Sequence, residues 1–257
     1  MDQIIQQLED SFASQQLAEK DSSTMQLEQC LQVVKAYATI EHCVAVLSDL
    51  TADKSYIYSG AFADYLGIEK HLSSPLVIES KWEDEIYSKI HPDDLFERHV
   101  LELRFFHFLE QLPPHERLCY NTSCRIRALN HNGEYQPINH RTLYLQNNDK
   151  NRLWLALCLY NFSNDASPFM GIQGKIINNK TGEIIPIDQY DNCAEILSSR
   201  EKEILQCVRE GLLSKEIALR LHISINTVNR HRQNILEKLG VKNSMEAIQT
   251  ALAMHLI

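Results

Sequence analysis

The sequence has few of the features that mark membrane proteins, secreted proteins or common enzymes. It contains no run of about 18 apolar residues, which argues against a membrane-spanning helix. It also lacks the phosphate-binding loop, the dinucleotide-binding glycine pattern, and the zinc-peptidase and serine-hydrolase motifs. The start, Met1-Asp2-Gln3, is polar and acidic, which argues against a signal peptide. We therefore expect a cytoplasmic protein that is not an enzyme and does not bind a membrane.

Cysteine occurs in an odd number, and no Cys-x-x-Cys motif is present. Among the seven cysteines, Cys119 and Cys124 lie closest in sequence, and they are the pair to consider for zinc or a disulfide bond. Reduced, mostly buried thiols in a cytoplasmic protein are the interpretation that this pattern favours. We therefore expect no metal site, and the sequence indicates no cofactor.

The charge is distributed unevenly along the chain. Residues 197–257 contain 9 basic and 6 acidic side chains, whereas residues 1–196 contain 16 and 28. The C-terminal part therefore has a net charge of +3 and the rest of the chain −12. An acidic body with a basic tail is typical of a protein whose tail alone contacts a polyanion.

Four short amphipathic helices are indicated in the last sixty residues or so. The first begins at Ser198 and Glu201, which have capping-box spacing. Ser214 is predicted to cap the second helix and Ser224 the third. Only His222 and Ile223 separate these two helices, which predicts a very tight turn between them. Gly240 stands where a left-handed C-terminal cap would end the third helix.

The third helix has one apolar and one polar face. At about 100° per residue, Val228, His231, Ile235 and Leu239 lie on the same side of the helix. The opposite side carries polar residues, namely Asn226, Asn229, Arg230, Gln233 and Glu237. Two short helices with a tight turn between them, the second with a polar outer face, predict a helix-turn-helix that fits the major groove of DNA.

Many residues of this region match a known family at fixed spacing. They include Leu197-Ser198-Ser199-Arg200-Glu201, Lys215-Glu216-Ile217-Ala218, Thr227-Val228 and Lys238-Leu239-Gly240-Val241. In these positions the last sixty residues or so resemble the LuxR/NarL (GerE-type) DNA-binding domain. Two positions depart from the family pattern: His222 stands where Gly is usual, and Leu213 where Ser or Thr is common.

The resemblance implies double-stranded DNA as a partner. By residue, it implies base contacts by Asn229, Arg230 and Gln233, and these side chains lie away from the packed face of the predicted helix. Arginine pairs well with guanine, and asparagine or glutamine with adenine. The candidates for phosphate contacts are Lys215, Ser224, Thr227 and Lys238. The alternative for these positions is a solvated helix surface. A homodimer joined by the fourth helix is a further implication, and RNA polymerase is a further candidate partner.

Two amphipathic helices are predicted at the start of the chain. The first carries Ile4, Ile5, Leu8 and Phe12 on one stripe, and the second covers residues 24–38. These helices either cover the domain that follows or form a dimer seam, and the sequence leaves both alternatives open.

The middle of the chain reads as a mixed domain. Two strands over residues 42–50 and 54–59 precede small helices at residues 62–66 and 82–90. A longer helix opens at His91-Pro92-Asp93-Asp94, where Pro suits the first helical position and Asp the positive end of the dipole. Three strands follow, over residues 120–129, 135–145 and 153–162. This order and the His-Pro-Asp-Asp sequence resemble a PAS domain; the alternative is an unrelated α+β domain.

The predicted fold class is α+β, with four segments. Residues 1–38 form an N-terminal helical segment and residues 39–165 a PAS-like sensor domain with an antiparallel sheet. Residues 166–196 are a connector that includes a candidate hairpin around Asn179-Lys180-Thr181-Gly182. Residues 197–257 form an all-α helix-turn-helix domain of four helices.

The resemblance to PAS domains implies a small-molecule ligand of unknown identity between the sheet and its helices. The candidate lining residues are Tyr56, Tyr58, Phe62, Trp82, Phe106, Arg125, Arg127 and Trp154. The alternative is that they are ordinary core and surface residues.

Two functional hypotheses follow. The first is a dimeric, sequence-specific transcription regulator whose PAS-like domain senses a small molecule or a protein partner. The second is an adaptor whose PAS-like domain docks a partner protein, while its tail binds DNA only at the non-specific level.

Overall fold

The chain divides into two compact units in this computed structural model, Asp10–Ile187 and Met1–Glu9 with Asp188–Ile257. The structure describes residues 2–14, 23–147, 152–165, 167–185, 197–239, 241, 243–253 and 256–257. Among these residues, no helix is long and apolar enough to cross a membrane.

An antiparallel sheet forms the centre of the larger unit. Its strands are β1 (Val44–Asp49), β2 (Lys54–Ser59), β3 (Leu76–Ile78), β4 (Tyr120–Leu129), β5 (Tyr135–Asn147), β6 (Leu153–Phe162), β7 (Lys175–Asn178) and β8 (Ile184–Ile185). Their order across the sheet is β3-β2-β1-β6-β5-β4-β7-β8. The first and the sixth strand are neighbours within the sheet, and the predicted α+β fold is confirmed.

The helices of this part of the chain lie before, between and after the first strands. They are α1 (Asp2–Ser14), α2 (Ser23–Ile40), α3 (Phe62–Leu66), α4 (Asp84–Tyr87), α5 (Pro92–Glu110) and α6 (Pro114–Arg117). The order of two strands, small helices, one longer helix and three strands agrees with the order predicted from the sequence.

Two hydrophobic cores of the described residues lie on opposite faces of the sheet. On one face, Val34 and Ala38 of α2 pack with Leu47, Leu157 and Leu159. The other face carries a second core, formed with residues of α3, α4 and α5. The helix α2 therefore covers the sheet, which is one of the two roles predicted for it. The dimer seam, the other role, stays a prediction.

The candidate hairpin of the connector is part of the sheet. Strand β7 pairs with β4, and β8 pairs with β7. Gly182 has φ +75° in the turn between them, a conformation that glycine adopts at little cost. The sheet thus continues beyond residue 165, where the sequence placed the end of the PAS-like domain.

Two short elements were missed and one helix is shorter than predicted. Strand β3 and helix α6 contain three and four residues, too few for a period to show. The helix predicted over residues 82–90 covers only Asp84–Tyr87. The residues after it do not continue the helix, because Ile90 forms a β-bridge with Ala128.

The start of α5 follows the sequence closely. Pro92 is its first residue, and the ring nitrogen Nδ1 of His91 accepts a hydrogen bond of 3.3 Å from the Asp93 amide. The buried Asp94 carboxylate accepts from the Arg127 backbone amide at 2.6 Å, which ties the helix to β4. In the His-Pro-Asp-Asp sequence, His91 thus caps the start of α5 and Asp94 attaches the helix to β4.

Candidate nucleic-acid interface

Four helices follow residue 197 in the part of the chain that the structure describes, as predicted. They are α7 (Ser199–Arg209), α8 (Ser214–Leu221), α9 (Ile225–Leu239) and α10 (Ser244–Ala253). The predicted capping box at α7 is confirmed. The Ser198 hydroxyl accepts from the Glu201 amide at 3.3 Å, and the Glu201 carboxylate accepts from the Ser198 amide at 2.8 Å.

The turn between α8 and α9 is very tight. His222 ends α8 in the left-handed conformation, with φ 53° and ψ 44°. The amide of Ile223 donates to the Ala218 carbonyl at 3.0 Å. Arg200 of α7 donates from Nη2 to the Leu221 carbonyl at 2.7 Å, so the first helix also holds the turn. His222 thus adopts the left-handed conformation at the position where the family pattern has Gly.

The predicted cap of α8 was placed one residue too late. Ser214 is the first helical residue, and Leu213 is the N-cap, without a side-chain hydrogen bond to the helix. The Leu213 amide instead donates to the Glu216 carboxylate at 2.7 Å. Leucine has no oxygen to accept from the helix, so α8 starts with half of a capping box.

Helix α9 begins as predicted. The Ser224 hydroxyl accepts from the Thr227 backbone amide at 3.1 Å and lies 2.8 Å from the Thr227 hydroxyl. This bond satisfies one of the free amides at the start of the helix and fixes its direction after the turn. Gly240, the predicted C-terminal cap, lies outside the described residues.

The two faces of α9 differ as the sequence predicted. Val228 is 0% exposed, Ile235 2% and Leu239 3%. Asn229, Arg230 and Gln233 are exposed on the polar side. The Gln233 amide donates to the Glu237 carboxylate at 3.1 Å in an exposed contact. The structure thus brings the three predicted base-reading residues onto one accessible surface.

The four residues predicted to contact phosphates differ in their exposure and in the bonds that they already make within the protein. Lys215 is exposed near the start of α8. Ser224 and Thr227 bond to each other and to the start of α9. The Lys238 ammonium lies 2.7 Å from the buried carboxylate of Glu201. Burial raises the pKa of that carboxyl group, but the bonds from Lys238 and Ser198 outweigh it and hold the pKa below its ordinary value.

Arg232 of α9 bonds to residues of two other helices. Its Nη1 donates to the Ser214 hydroxyl at 3.1 Å and its Nη2 to the Ser244 hydroxyl at 3.0 Å. One guanidinium group thereby joins α9 to the starts of α8 and α10. The two serines are 18 and 12 residues away in sequence, so no spacing in α9 itself predicts this contact.

The residues predicted to line a ligand pocket fall on two faces of the sheet. Tyr58 and Trp154 belong to the core on the α2 side, against which Tyr56 packs. Phe62 belongs to the opposite core, against which Trp82 packs. These five side chains therefore do not form a single lining.

The remaining three candidates make contacts of their own. Phe106 is buried on α5, with its ring centroid 5.3 Å from that of Phe12. Arg125 donates to the Asp165 carboxylate at 2.9 Å, and Arg127 forms an ion pair with Asp94. Both arginines thus fasten segments to β4, and the pocket role of the whole set stays a prediction.

The cysteines of the described residues are free thiols, and most are buried. Cys119 is half-buried and Cys124 is buried. Burial raises the pKa of the Cys124 thiol to about 12, so it is protonated and unreactive at neutral pH. Within the described ranges, no group of three or more histidine, cysteine or acidic residues is arranged to hold a metal ion.

Comparison with known proteins identifies the C-terminal domain. The family model of bacterial regulatory proteins of the LuxR family matches residues 195–251. The response regulatory protein YgeK of Escherichia coli is 50% identical over 58 residues, which are 23% of this chain and 40% of that protein. The oxygen regulatory protein NreC of Staphylococcus aureus is 43% identical over 63 residues, 24% of this chain and 29% of that protein. The C-terminal part of the chain is a LuxR-family helix-turn-helix domain.

These similarities are limited in extent. The chain spans less than half the length of the curated relatives it matches. Among solved structures, VqmA of Vibrio cholerae aligns over 88% of both chains with 13% identity and a TM-score of 0.32. SdiA of Escherichia coli aligns over 66% of this chain and 94% of its own, with 17% identity and a TM-score of 0.25. Likeness at this distance carries no information on ligand or activity.

Proposed function

We propose that the protein is a sequence-specific transcription regulator that reads double-stranded DNA with α9. One observation carries the proposal: Asn229, Arg230 and Gln233 are exposed together on the side of α9 opposite its buried residues. Arginine, asparagine and glutamine are the side chains that pair bidentately with guanine and adenine in the major groove. The cap at Ser224 and the turn at His222 fix the helix that presents them.

The surroundings of α9 support contacts to the DNA backbone. Residues 197–257 carry a net charge of +3, and Lys215 is exposed. A charge this small neutralises few phosphates, so a single domain is expected to bind weakly. Two domains on half-sites one helical turn apart overcome this weakness, and we infer that the protein acts as a homodimer.

The larger unit is the sensor in this proposal. Its PAS-like sheet carries one buried core on each face, and its β7–β8 hairpin precedes the DNA-binding domain in sequence. We infer that a small molecule or a protein partner bound by this unit changes DNA binding by the other. The protein then works in the cytoplasm, where the DNA lies, and catalyses no reaction of its own. Direct contact with RNA polymerase belongs to the same proposal.

Selection of duplexes from a random pool tests the assignment. The full-length protein, at about 150 mM salt, is expected to enrich a two-fold symmetric motif. Arg230→Ala is expected to lower the affinity for that motif by about 1–3 kcal/mol and to relax the preference at one base of each half-site. Arg209→Ala removes an exposed arginine from the end of α7 and serves as the control, with the motif unchanged.

Two outcomes would contradict the proposal. Unchanged sequence preference in Arg230→Ala would mean that α9 is not the reader. Enrichment of no motif, with binding at a Kd of about 10⁻⁴–10⁻⁶ M for every duplex, would favour an adaptor that docks a partner protein.

A further inference from the structure

Helix α9 begins with an apolar side chain that is exposed. Ile225 is the first residue of the helix and is 41% exposed, whereas Val228, Ile235 and Leu239 are buried. All of α9 is described by the structure, and Ile225 is the one large apolar side chain on it that is exposed. Much of its surface can therefore be covered by a bound molecule.

The residues around Ile225 already complete the start of the helix. The Ser224 hydroxyl caps α9 by accepting from the Thr227 amide at 3.1 Å. Proline or an acidic residue in the first turn would stabilise the helix further, and α9 has an isoleucine at this place and no acidic residue. Ile225 thus neither caps the helix nor belongs to its buried face. A single exposed apolar residue is ordinary on a protein surface, so its position decides whether it has a function.

Ile225 lies next to the side of α9 that is proposed to read bases. At about 100° per residue, the side chain of Asn229 is rotated from that of Ile225 by only about 40° around the helix axis. Both side chains are exposed. The rise between them is about 6 Å, less than two base-pair steps of about 3.4 Å each. In a helix-turn-helix the first residues of the second helix contact base edges, and Ile225 is at that end of α9.

The base pairs present only one apolar group in the major groove. This group is the 5-methyl group of thymine, whereas guanine, adenine and cytosine present hydrogen-bond donors and acceptors there. An isoleucine side chain has no donor or acceptor, so it removes water from a polar base edge without replacing the lost hydrogen bonds. Against a thymine methyl group, the same side chain buries apolar surface of both partners. The favourable contact and the penalty therefore select the same base.

We propose that Ile225 is a specificity-determining residue that contacts the 5-methyl group of one thymine in each half-site. This thymine lies within about two base pairs of the base that Asn229 reads. The inference rests on the proposed function, in which α9 enters the major groove, and it names a base that the DNA site contains. The contact is apolar and releases no counterions, so its effect on the affinity does not change with the salt concentration.

Replacement of thymine by deoxyuridine tests the contact directly, because it removes the methyl group and keeps every hydrogen-bonding atom of the base pair. The full-length protein is used with the duplex that it selects, and each thymine position is replaced in both half-sites in turn. Competition measured by fluorescence anisotropy is expected to show one position at which the affinity falls by about fourfold for each half-site, the value of one buried methyl group. The same loss is expected at about 100 mM and at about 300 mM salt.

Variants of Ile225 assign the effect to this side chain. Ile225→Ala is expected to bind the thymine and deoxyuridine duplexes with equal affinity, while Ile225→Val, which keeps a branched apolar side chain, retains part of the preference. Alanine has a higher helix propensity than isoleucine, so α9 is expected to stay formed, which circular dichroism checks. Ile184→Ala is the matched control, since it removes an isoleucine of β8 that is 55% exposed, and it is expected to keep the full preference.

Two results would overturn the inference. One is a selected duplex in which no thymine can be replaced by deoxyuridine with a loss of affinity for the wild-type protein. The other is a loss that persists undiminished in Ile225→Ala and Ile225→Val. Either result, together with a motif that depends on Arg230, leaves the proposed function in place and removes only the role of Ile225. Selection of no motif at all would instead contradict the proposed function itself, and the inference with it.

Discussion

His222 has a backbone conformation that only glycine adopts without cost. Its φ of 53° and ψ of 44° are in the left-handed region, and the side chain is exposed. For a residue with a Cβ atom this region costs about 1–2 kcal/mol. His222→Gly is therefore expected to raise the free energy of unfolding of the helix-turn-helix domain by about 1 kcal/mol, less the greater entropy of glycine in the unfolded chain.

Calorimetry of the full-length protein measures this gain as a higher Tm of the transition that contains the domain. His222→Ala is the control, because it removes the imidazole ring but keeps the Cβ atom and the cost. A gain of equal size in both variants would mean that the histidine side chain, not its backbone, destabilises the turn.

Single residues of the site were predictable where the signal is local. Ser198 with Glu201 and Ser224 with Thr227 are neighbours in sequence, and their capping bonds form as expected. Arg232 finds Ser214 and Ser244 only because three helices meet around it. No spacing rule links such distant partners, so these contacts of Arg232 could not be predicted from the sequence.

Helix α5 carries several buried ionisable groups, among them His99, and its packing makes stability depend on pH. The pKa of His99 is lowered to about 3 by burial and by the Arg98 charge, whereas an unfolded histidine titrates at about 6.5. The folded state therefore binds fewer protons than the unfolded state between these values. Above a pH of about 6.5, His99 is neutral in both states and the free energy of unfolding does not depend on its titration. As the pH falls below this value, the larger unit loses stability.

Urea unfolding at pH 7.5 and pH 5.0 tests this dependence. The wild-type protein is expected to lose up to about 1.4 kcal/mol per pH unit for each such histidine below pH 6.5 or so. His99→Asn removes one titrating group, so its free energy of unfolding is expected to fall less between pH 7.5 and pH 5.0 than that of the wild type. His115→Asn, with a side chain 80% exposed, is the control and is expected to lose as much as the wild type. Equal losses in all three proteins would contradict the assignment to His99.

Whole elements were predicted well where they are long or where a period is clear. The strands β2, β4 and β6 and the helix α3 were placed with the bounds that the structure shows. The buried polar residues of α5 left no such trace, because charged side chains such as Arg98, His99 and Glu102 are ordinarily expected on an exposed helix face. Their burial follows from the sheet beneath α5 and from its neighbours, which are distant in sequence. The aromatic residues chosen as pocket lining were large and apolar, yet they divide between two faces.

For the molecule as a whole, the uneven charge has a measurable consequence for DNA binding. Each phosphate contact releases counterions, so the logarithm of the affinity falls with the logarithm of the salt concentration by about 0.9 for each contact. Lys215 is exposed on α8 and is a predicted phosphate contact. Lys215→Ala is therefore expected to reduce the salt slope by about 1 per subunit and to weaken all sequences alike.

Fluorescence anisotropy on the selected duplex and on a scrambled duplex, over a range of salt concentrations, measures both quantities. Arg230→Ala is the contrasting variant, since the loss of a base contact lowers the affinity for the selected duplex more than for the scrambled one. Arg209→Ala controls for the loss of one positive charge at the end of α7. A slope that falls equally in Lys215→Ala and Arg209→Ala would mean that net charge, not a contact at Lys215, sets the salt dependence. A slope that falls only in Lys215→Ala would support α8 as the element that positions the reading helix on the phosphate backbone.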